Sequence, residues 1–324
     1  MKKKLNSYIN LGLKGMAMGA ADVVPGVSGG TIAFISGIYE ELIATIDKLD
    51  FSLFKVWKTS GVKIMFRNYN LGFLVTLFIG MLLSFLSFAK LAEYLLKEHP
   101  ILIWSFFFGL VLASAIFIGR QVSSWNILKI ISLILGVGIA YYVTIAEPQT
   151  APESWYFVFL SGFVAIIAMI LPGISGSFIL ILLGSYAVIL GTFNDCVQAI
   201  LERDFSLFKT SFIRLFTFMI GCIVGLKLFS KGLRWMFANY KGLTLAILTG
   251  FMIGSLNKIW PWKHVLSTRL DRHGEEVPLL ERSILPSSYD GDAQLLWAIL
   301  LASIGFIVIF GLERLSSKKN QDAN

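Results

Sequence analysis

The apolar positions of this chain form long blocks, and charged residues stand mainly at the ends of these blocks. A helix of about 20 residues crosses a hydrocarbon core of about 30 Å. Apolar side chains dominate six segments of roughly this kind: 71–89, 100–119, 126–146, 211–230, 242–257 and 293–312. The pattern therefore predicts membrane-spanning helices in all six segments, separated by more polar stretches.

Two further apolar segments are each interrupted by the same short motif. Val24-Pro25-Gly26-Val27-Ser28-Gly29-Gly30 returns 147 residues later as Leu171-Pro172-Gly173-Ile174-Ser175-Gly176-Ser177. Proline ends a helix because it lacks an N–H group, and glycine then permits a sharp turn. The arms at 11–24 and 31–46 would measure about 21 and 24 Å, less than a full crossing. We therefore predict a re-entrant helical hairpin at each break, over 11–46 and 154–194.

The similarity between the two halves extends beyond this motif. Residues 50–55 return unchanged at 204–209, and residues 108–114 resemble 249–255. An internal repeat of this kind is first a statement about fold. We predict an all-α polytopic integral membrane protein made of two repeats, 1–150 and 151–324, with a polar loop at 258–292. Each repeat has a re-entrant hairpin and about three transmembrane helices, so an odd number of crossings leaves the second repeat inverted.

Composition and charge agree with a membrane protein. The chain is 56% hydrophobic and 15% charged, whereas soluble domains carry about 25% charged residues. The net charge of +8 comes from basic residues beside the spans, which predicts no nucleic-acid partner. The basic clusters place both termini on the cytoplasmic side of the cell membrane. Lys14 interrupts the first apolar run, so we expect this segment to be retained rather than cleaved as a signal peptide.

The two breaks carry the candidate binding site. Ser28 and Ser175 stand where the second arm of each hairpin begins, and serine is a favoured N-cap residue. A helix start has free N–H groups and a partial positive charge, so it binds anions and especially phosphate. The alternative is that the small residues only permit close helix packing, but recurrence at equivalent positions favours a site. The predicted substrate-binding residues of the breaks are Pro25, Gly26, Ser28, Gly29, Gly30, Thr31, Pro172, Gly173, Ser175, Gly176 and Ser177.

Four charged residues are candidates because ionisable groups at membrane depth are costly and usually functional. Asp22 has no acidic counterpart in the second repeat, and Arg214 stands where the first repeat has Phe73. We expect Arg214 or Arg120 to contact the phosphate and Asp22 or Glu40 to carry a coupling ion, a proton or sodium. Glu40 also fits a solvated helix end, and Arg120 fits a side chain that reaches the membrane surface. The histidines form no metal-spaced pair, so neither a metal nor a cofactor is predicted.

The motifs themselves point to a family. Residues 19–31 read Gly-Ala-Ala-Asp-Val-Val-Pro-Gly-Val-Ser-Gly-Gly-Thr and are followed by Gly37-Ile38-Tyr39-Glu40, while the second break is followed by Gly184-Ser185-Tyr186. Over nearly its whole length, the chain resembles the bacterial polyprenyl-phosphate transporter family. The resemblance implies return of undecaprenyl phosphate from the outer to the inner leaflet of the cytoplasmic membrane, where this lipid carrier is reused for envelope synthesis. It leaves the oligomeric state open.

Three other functions are alternatives. Integral-membrane undecaprenyl-pyrophosphate phosphatases have a similar Pro-Gly-x-Ser motif, but theirs continues with arginine where this chain has Gly29 and Gly176. Phosphoryl transfer depends on such electrostatic stabilisation. A transporter of a small soluble anion would use the same helix starts without a lateral opening for a lipid tail. A non-transporting scaffold would leave the asymmetric buried charges without a role.

Overall fold

The structure of the protein is a computed structural model that describes residues 2–24, 27–152, 154–270 and 276–321, with side chains except at 2–6, 269–270 and 312–321. Helices and one two-stranded antiparallel sheet make up the described chain. In order they are α1 Lys2–Val23, α2 Gly29–Ile35, α3 Tyr39–Lys48, α4 Ser52–Ser60, α5 Val62–Asn68, α6 Leu71–Glu98, α7 Pro100–Arg120, α8 Ile127–Ile145, α9 Trp155–Ile170, α10 Gly176–Leu182, α11 Ser185–Glu202, α12 Phe205–Ser255, β1 Lys263–Leu270, β2 Glu276–Ser283 and α13 Leu295–Gln321.

The length and composition of the helices make this a polytopic helical membrane protein. Within the described residues, α6, α7, α8 and α12 are long and apolar enough to cross a membrane, and the α10–α11 pair, bent by 105°, is a fifth candidate. The outer face of α6 is apolar, and Leu82 and Leu86 are 63% and 72% exposed. Exposed apolar surface on this scale is stable against lipid and not against water.

Several helices extend beyond the apolar segments that predicted them. Helix α1 begins at residue 2 rather than 11 and measures about 33 Å, and α6 continues from residue 89 to residue 98. The predicted spans 211–230 and 242–257 lie in one helical run, α12, which is kinked at Tyr240 with φ −137° and ψ 45°. Hydropathy identifies only the part of a helix that lies in the hydrocarbon core. The helical hydrogen bonds of the backbone continue into the polar surface region of the membrane, so the helices are longer than the apolar segments.

The prediction of a plain polar loop at 258–292 was wrong. The segment contains β1 and β2, paired in antiparallel register from Lys263 opposite Ser283 to Leu270 opposite Glu276, and a short 3-10 turn at Pro286–Ser288. The described chain is therefore predominantly helical, as predicted, with one added pair of antiparallel strands. Exposed and half-buried positions alternate along most of β2, which is the pattern of a strand that packs one face against the protein.

The chain turns a second time after each of the two main breaks, which the apolar pattern did not reveal. Helix α2 ends before Gly37, which has φ +72°, and α10 ends before Gly184, which has φ +67°. These two glycines are 147 residues apart, as are the two main breaks. A positive φ strains any residue with a side chain, so glycine lets both arms turn at the same point.

Close helix packing recurs in both halves of the chain. A β-carbon at Gly15 of α1 would collide with the carbonyl oxygen of Leu77 in α6, and one at Gly162 of α9 would collide with that of Phe218 in α12. The two glycines are 147 residues apart and their two partners are 141 residues apart, the offsets of the internal repeat. The first two membrane elements of each half therefore approach each other in the same way.

The remaining helices pack between the halves. A β-carbon at Gly109 of α7 would collide with the carbonyl oxygen of Ala302 in α13, and one at Gly250 of α12 with that of Leu133 in α8. Gly109 and Gly250 are again 141 residues apart. Helices α7 and α8 of the first half thus pack against α13 and α12 of the second half. Neither half therefore forms a separate unit.

We expect Gly136→Ala to destabilise the protein, because its β-carbon would collide with the carbonyl oxygen of Ile247. Overpacking of this kind costs about 1–3 kcal/mol, so the midpoint of thermal unfolding in detergent should fall by several degrees. Gly138→Ala on the same helix is the matched control, because nothing lies within 4 Å of its β-carbon position. Equal unfolding temperatures for the two variants would contradict the packing.

Candidate functional site

The two breaks lie against each other and exchange hydrogen bonds. Ser28 Oγ donates to the carbonyl oxygen of Leu171 at 3.1 Å, and the buried Tyr39 hydroxyl donates to that of Ile170 at 3.1 Å. In the opposite direction, the N–H of Gly173 donates to Thr31 Oγ1 at 3.0 Å. These bonds bring together residues more than 130 positions apart. The predicted convergence of the two break segments is therefore present in the structure.

The first break is closed by its own side chains. Asp22 Oδ1 accepts a hydrogen bond from the N–H of Gly29 at 2.6 Å, and Ser28 Oγ accepts one from Gly30 at 3.1 Å. Ser28 is thus a side-chain N-cap, as predicted, and residues 27–35 are all buried. The Asp22 carboxylate occupies the place at the start of α2 where the sequence predicted a phosphate. Pro25 and Gly26, also predicted site residues, lie outside the described residues.

The second break differs in chemistry. Ser175 occupies the N-cap position of α10 but makes no capping hydrogen bond with its side chain. Its hydroxyl lies 2.8 Å from that of Ser177, and Ser177 is exposed. Pro172 is buried beside Gly173, which has φ +89° and lies too close to Ser255 to carry a side chain. The hydroxyls of the second break are therefore not committed to capping the helix.

A small cavity beside the second break brings it close to a cationic group. The cavity is lined in part by Gly173, Ile174, Ser175, Phe178, Ser255 and Lys258. Lys258 Nζ lies 4.5 Å from the centre of the Phe178 ring, within the range of a cation–π contact. Lys258 thus brings an ammonium group to the same cavity lining as Ser175.

The β hairpin supplies the counter-charge for this lysine. Glu281 Oε2 lies 3.2 Å from Lys258 Nζ and 3.4 Å from Lys263 Nζ, and Lys263 Nζ lies 3.9 Å from the centre of the Trp104 ring. Burial lowers the pKa of Lys263 to about 8, although the Glu281 carboxylate partly opposes this change. Burial would raise the pKa of Glu281, but Lys263 and Lys258 outweigh it and hold that pKa below its usual range.

The other predicted charges lie away from the breaks. Glu40 is exposed and pairs with Lys241 at 2.7 Å. Arg120 is exposed at the end of α7, and its guanidinium lies 6.0 Å from the Phe310 ring centre. Arg214 is half-buried near the start of α12, over the ring of Trp155, at the far end of α9 from the second break. Of the four candidate charges, only Asp22 reaches a break.

Comparison with known proteins gives the family. Over residues 18–277, the chain matches the family described as undecaprenyl phosphate translocase-like. The chain belongs to this family. It is 44% identical over 322 residues to a polyprenyl-phosphate transporter of Vibrio cholerae, covering 98% of this chain and 100% of that protein. It is 32% identical over 266 residues to a polyprenyl-phosphate transporter of Staphylococcus aureus, covering 78% and 86% respectively.

This membership makes the protein a transporter and not an enzyme, which removes the phosphatase alternative. It also confirms the resemblance found in the motifs. No solved structure matches the chain. Among the described residues, no group of three or more histidine, cysteine, aspartate or glutamate side chains is placed to hold a metal ion.

Sequence reasoning missed two residues of this transporter site. Tyr39 follows Gly37 at the spacing at which Tyr186 follows Gly184, and this repeated Gly-x-Tyr was the signal that could have singled it out. Lys258 carried no such signal, because a lysine just after an apolar segment is typical of any helix that ends at a membrane surface.

We expect Tyr39→Phe to lower the stability of the membrane fold. The change leaves the carbonyl oxygen of Ile170 without its buried donor, at a cost of about 1–3 kcal/mol. Thermal unfolding in detergent measures the effect, and Tyr142→Phe, at a position 69% exposed, serves as the control. An unchanged unfolding temperature for Tyr39→Phe would mean that this bond between the breaks contributes nothing.

Proposed function

We propose that this protein is a flippase that returns undecaprenyl phosphate from the outer to the inner leaflet of the cytoplasmic membrane. The observation that carries the proposal is the pair of touching helix breaks. In the second break the Ser175 and Ser177 hydroxyls bond to each other rather than cap α10, and Ser175 shares a cavity lining with Lys258. Irregular backbone at membrane depth persists where it is packed in protein or lines a cavity. Paired breaks in two halves of a transporter are the usual place of its substrate site. The names of the matched relatives supply the lipid class.

The two repeats, 1–150 and 151–324, are inverted relative to each other in this proposal. Their equivalent glycine contacts support the repeat, and three full crossings after each hairpin reverse its direction. Broken helices that meet between inverted repeats let one half rock against the other around a site that both halves share. The hydrogen bonds from Ser28 and Tyr39 to the second break lie at this shared boundary.

The charges support an orientation with both termini in the cytoplasm. Lys227 and Arg234 of α12 contact Asp47 of α3, at 2.6 Å to its carbonyl oxygen and 2.9 Å to its carboxylate. This end also carries the basic helices α4 and α5, as the positive-inside rule requires of a cytoplasmic face. The starts of α7 and α13 meet the β hairpin segment in a cluster that includes Ile101, Trp262 and Ala298, and this is the outer face.

The phosphate binds at the second break rather than equally at both. Ser175 and Ser177 supply hydroxyl donors, Gly176 the start of α10, and Lys258 the compensating charge. In the absence of substrate, the Glu281 carboxylate forms the ion pair with Lys258. The phosphate headgroup then replaces Glu281 as the partner of Lys258. The first break, with Gly29, Gly30 and Thr31 bonded internally, positions the second. The isoprenoid tail stays in the bilayer beside the apolar helix faces.

Transport assays in vesicles test this assignment. Purified protein in proteoliposomes should accelerate the movement of a fluorescent polyprenyl phosphate between leaflets, measured by protection from a membrane-impermeant quencher, and should leave the neutral polyprenol unaffected. Lys258→Met should slow transport about 10-fold or more, the size of one lost charged hydrogen bond of about 1.5–3 kcal/mol. Lys241→Met is the control, because Lys241 is exposed and away from the cavity.

Three results would contradict the proposal. Equal acceleration of polyprenol and polyprenyl phosphate would mean that the headgroup is not recognised. Normal transport by a folded Lys258→Met variant would remove the phosphate from the second break, and equal slowing by both lysine variants would show a general effect of surface charge.

Asp22 carries the coupling ion, here a proton, in the same proposal. The carboxylate binds the N–H of Gly29 at the start of α2, and protonation weakens this bond because it removes the negative charge that the helix start attracts. Loading a proton therefore loosens the first break, and releasing it restores the closed arrangement.

We expect Asp22→Asn to abolish the response of transport to an imposed pH gradient and to lower the rate about 10-fold, because the uncharged amide cannot alternate between two states. Glu40→Gln provides the matched carboxyl-to-amide control at an exposed position. The same vesicle assay, run with and without a gradient, measures both variants. A gradient response that survives in Asp22→Asn, or disappears in Glu40→Gln, would assign the coupling elsewhere.

A further inference from the structure

A second polar cavity lies at the far end of α9 from the breaks. Its volume is about 240 Å³, and its lining includes Ser154, Trp155, Val188, Thr192, Asp195 and Arg214. The residues come from the segment before α9, from α11 and from α12. Helix α9, 16 residues long, runs from this cavity to the second break.

The equivalent place in the first repeat carries different side chains. There the side-chain amide of Asn70 donates to Glu41 Oε1 at 2.8 Å and to Thr45 Oγ1 at 3.3 Å, and the buried Phe73 stands at the position equivalent to Arg214. Glu41 and Thr45 correspond, 147 residues later, to the cavity residues Val188 and Thr192. The arginine of the cavity lining is therefore a feature of the second repeat and is not shared with the first.

The groups around the cavity suit an anion. The Arg214 guanidinium lies 5.8 Å from the centre of the Trp155 ring, and none of the ion pairs among the described residues involves it. Ser154 Oγ is buried, and no hydrogen-bond partner for it is present in the described part of the chain. Ser154 also precedes the first residue of α9 without capping it, so the positive end of this helix faces the same place.

Among the described residues, one carboxylate shares the lining. Asp195 is exposed, so water and salt screen its repulsion of a bound anion. Arginine is the side chain best suited to phosphate, because its planar fork donates two parallel hydrogen bonds. An aromatic ring beneath the guanidinium keeps the fork in place without using its donors.

We infer that this cavity is a second phosphate site, with Arg214 and Ser154 as its ligands. The phosphate is either the headgroup of a lipid monoester or free phosphate. If the proposed function holds, the cavity opens at the outer face, where it receives the headgroup before the break does. The phosphate headgroup then binds at two successive sites during transport, first at Arg214 and second at Lys258.

Protection of a thiol in the cavity tests this inference. Ala187, a lining residue, is replaced by Ala187→Cys in full-length protein that also carries Cys196→Ser and Cys222→Ser, and the protein is placed in nanodiscs. The rate of modification by N-ethylmaleimide is measured with farnesyl phosphate, inorganic phosphate or farnesol. We expect farnesyl phosphate to slow the reaction at least about 5-fold at saturation. Arg214→Gln should raise the concentration needed by about 10-fold or more, as expected for a lost charged hydrogen bond.

Matched variants separate the outcomes. Lys209→Gln removes an exposed charge from the same helix and should leave protection unchanged, and Ser154→Ala should weaken it. Protection by farnesyl phosphate alone assigns the site to a lipid headgroup, and equal protection by inorganic phosphate assigns it to the free ion. Protection by farnesol, or protection that survives Arg214→Gln, would overturn the site.

The same preparation distinguishes this inference from the proposed function. Lys258→Met should keep full protection at the cavity, since it changes only the second break. If farnesyl phosphate protects the thiol but the protein moves no lipid in vesicles, the phosphate site is supported and the flippase function is refuted. If the protein moves lipid but Arg214→Gln leaves the protection of the thiol unchanged, the flippase function is supported and the phosphate site is refuted.

Discussion

A helix that breaks inside a membrane must find protein partners for the backbone groups it frees, because lipid offers none. In this protein each break supplies partners to the other. Ser28 and Tyr39 donate to carbonyl oxygens of the second break, and Thr31 accepts from the N–H of Gly173. An unsatisfied buried group costs about 1–3 kcal/mol, so the two breaks stabilise each other only when they are together. Each helix break is therefore stable only because the two halves of the chain are in contact.

The two breaks share a motif but not a chemical role. Asp22 brings a carboxylate to the start of α2, whereas the second repeat has Met169 at the equivalent position. As a result, the first break carries its own anion and is buried, while the second has an exposed serine and a neighbouring lysine. In the function proposed above, the first break is thus the structural half of the pair and the second is the binding half. This division suits a transporter in which one element holds the position of another.

Charged side chains at the two ends of the molecule are held in different ways. Near the basic end, Lys227 and Arg234 of α12 bind the end of α3 through Asp47, which ties the two repeats together. At the other end, Glu281 of the hairpin contacts both Lys258 and Lys263. A carboxylate shared between two ammonium groups is a weak anchor for either one when a competing anion arrives. The hairpin therefore reaches the small cavity through the ion pair between Glu281 and the lining residue Lys258.

The sequence by itself determined the membrane class, the positions of the two helix breaks, the internal repeat and the family. These features depend on local rules, because lipid demands long apolar helices and Pro-Gly ends them wherever the rest of the chain lies. The tertiary structure decided which polar groups meet: Asp22 with Gly29, Tyr39 with Ile170, Lys258 with Glu281, and Arg214 with Trp155 rather than with a break. It also formed the strands at 263–270 and 276–283 from a segment that looked like a loop. Most of these pairings join residues distant along the chain, and only the packing of helices can select one partner among many of similar chemistry.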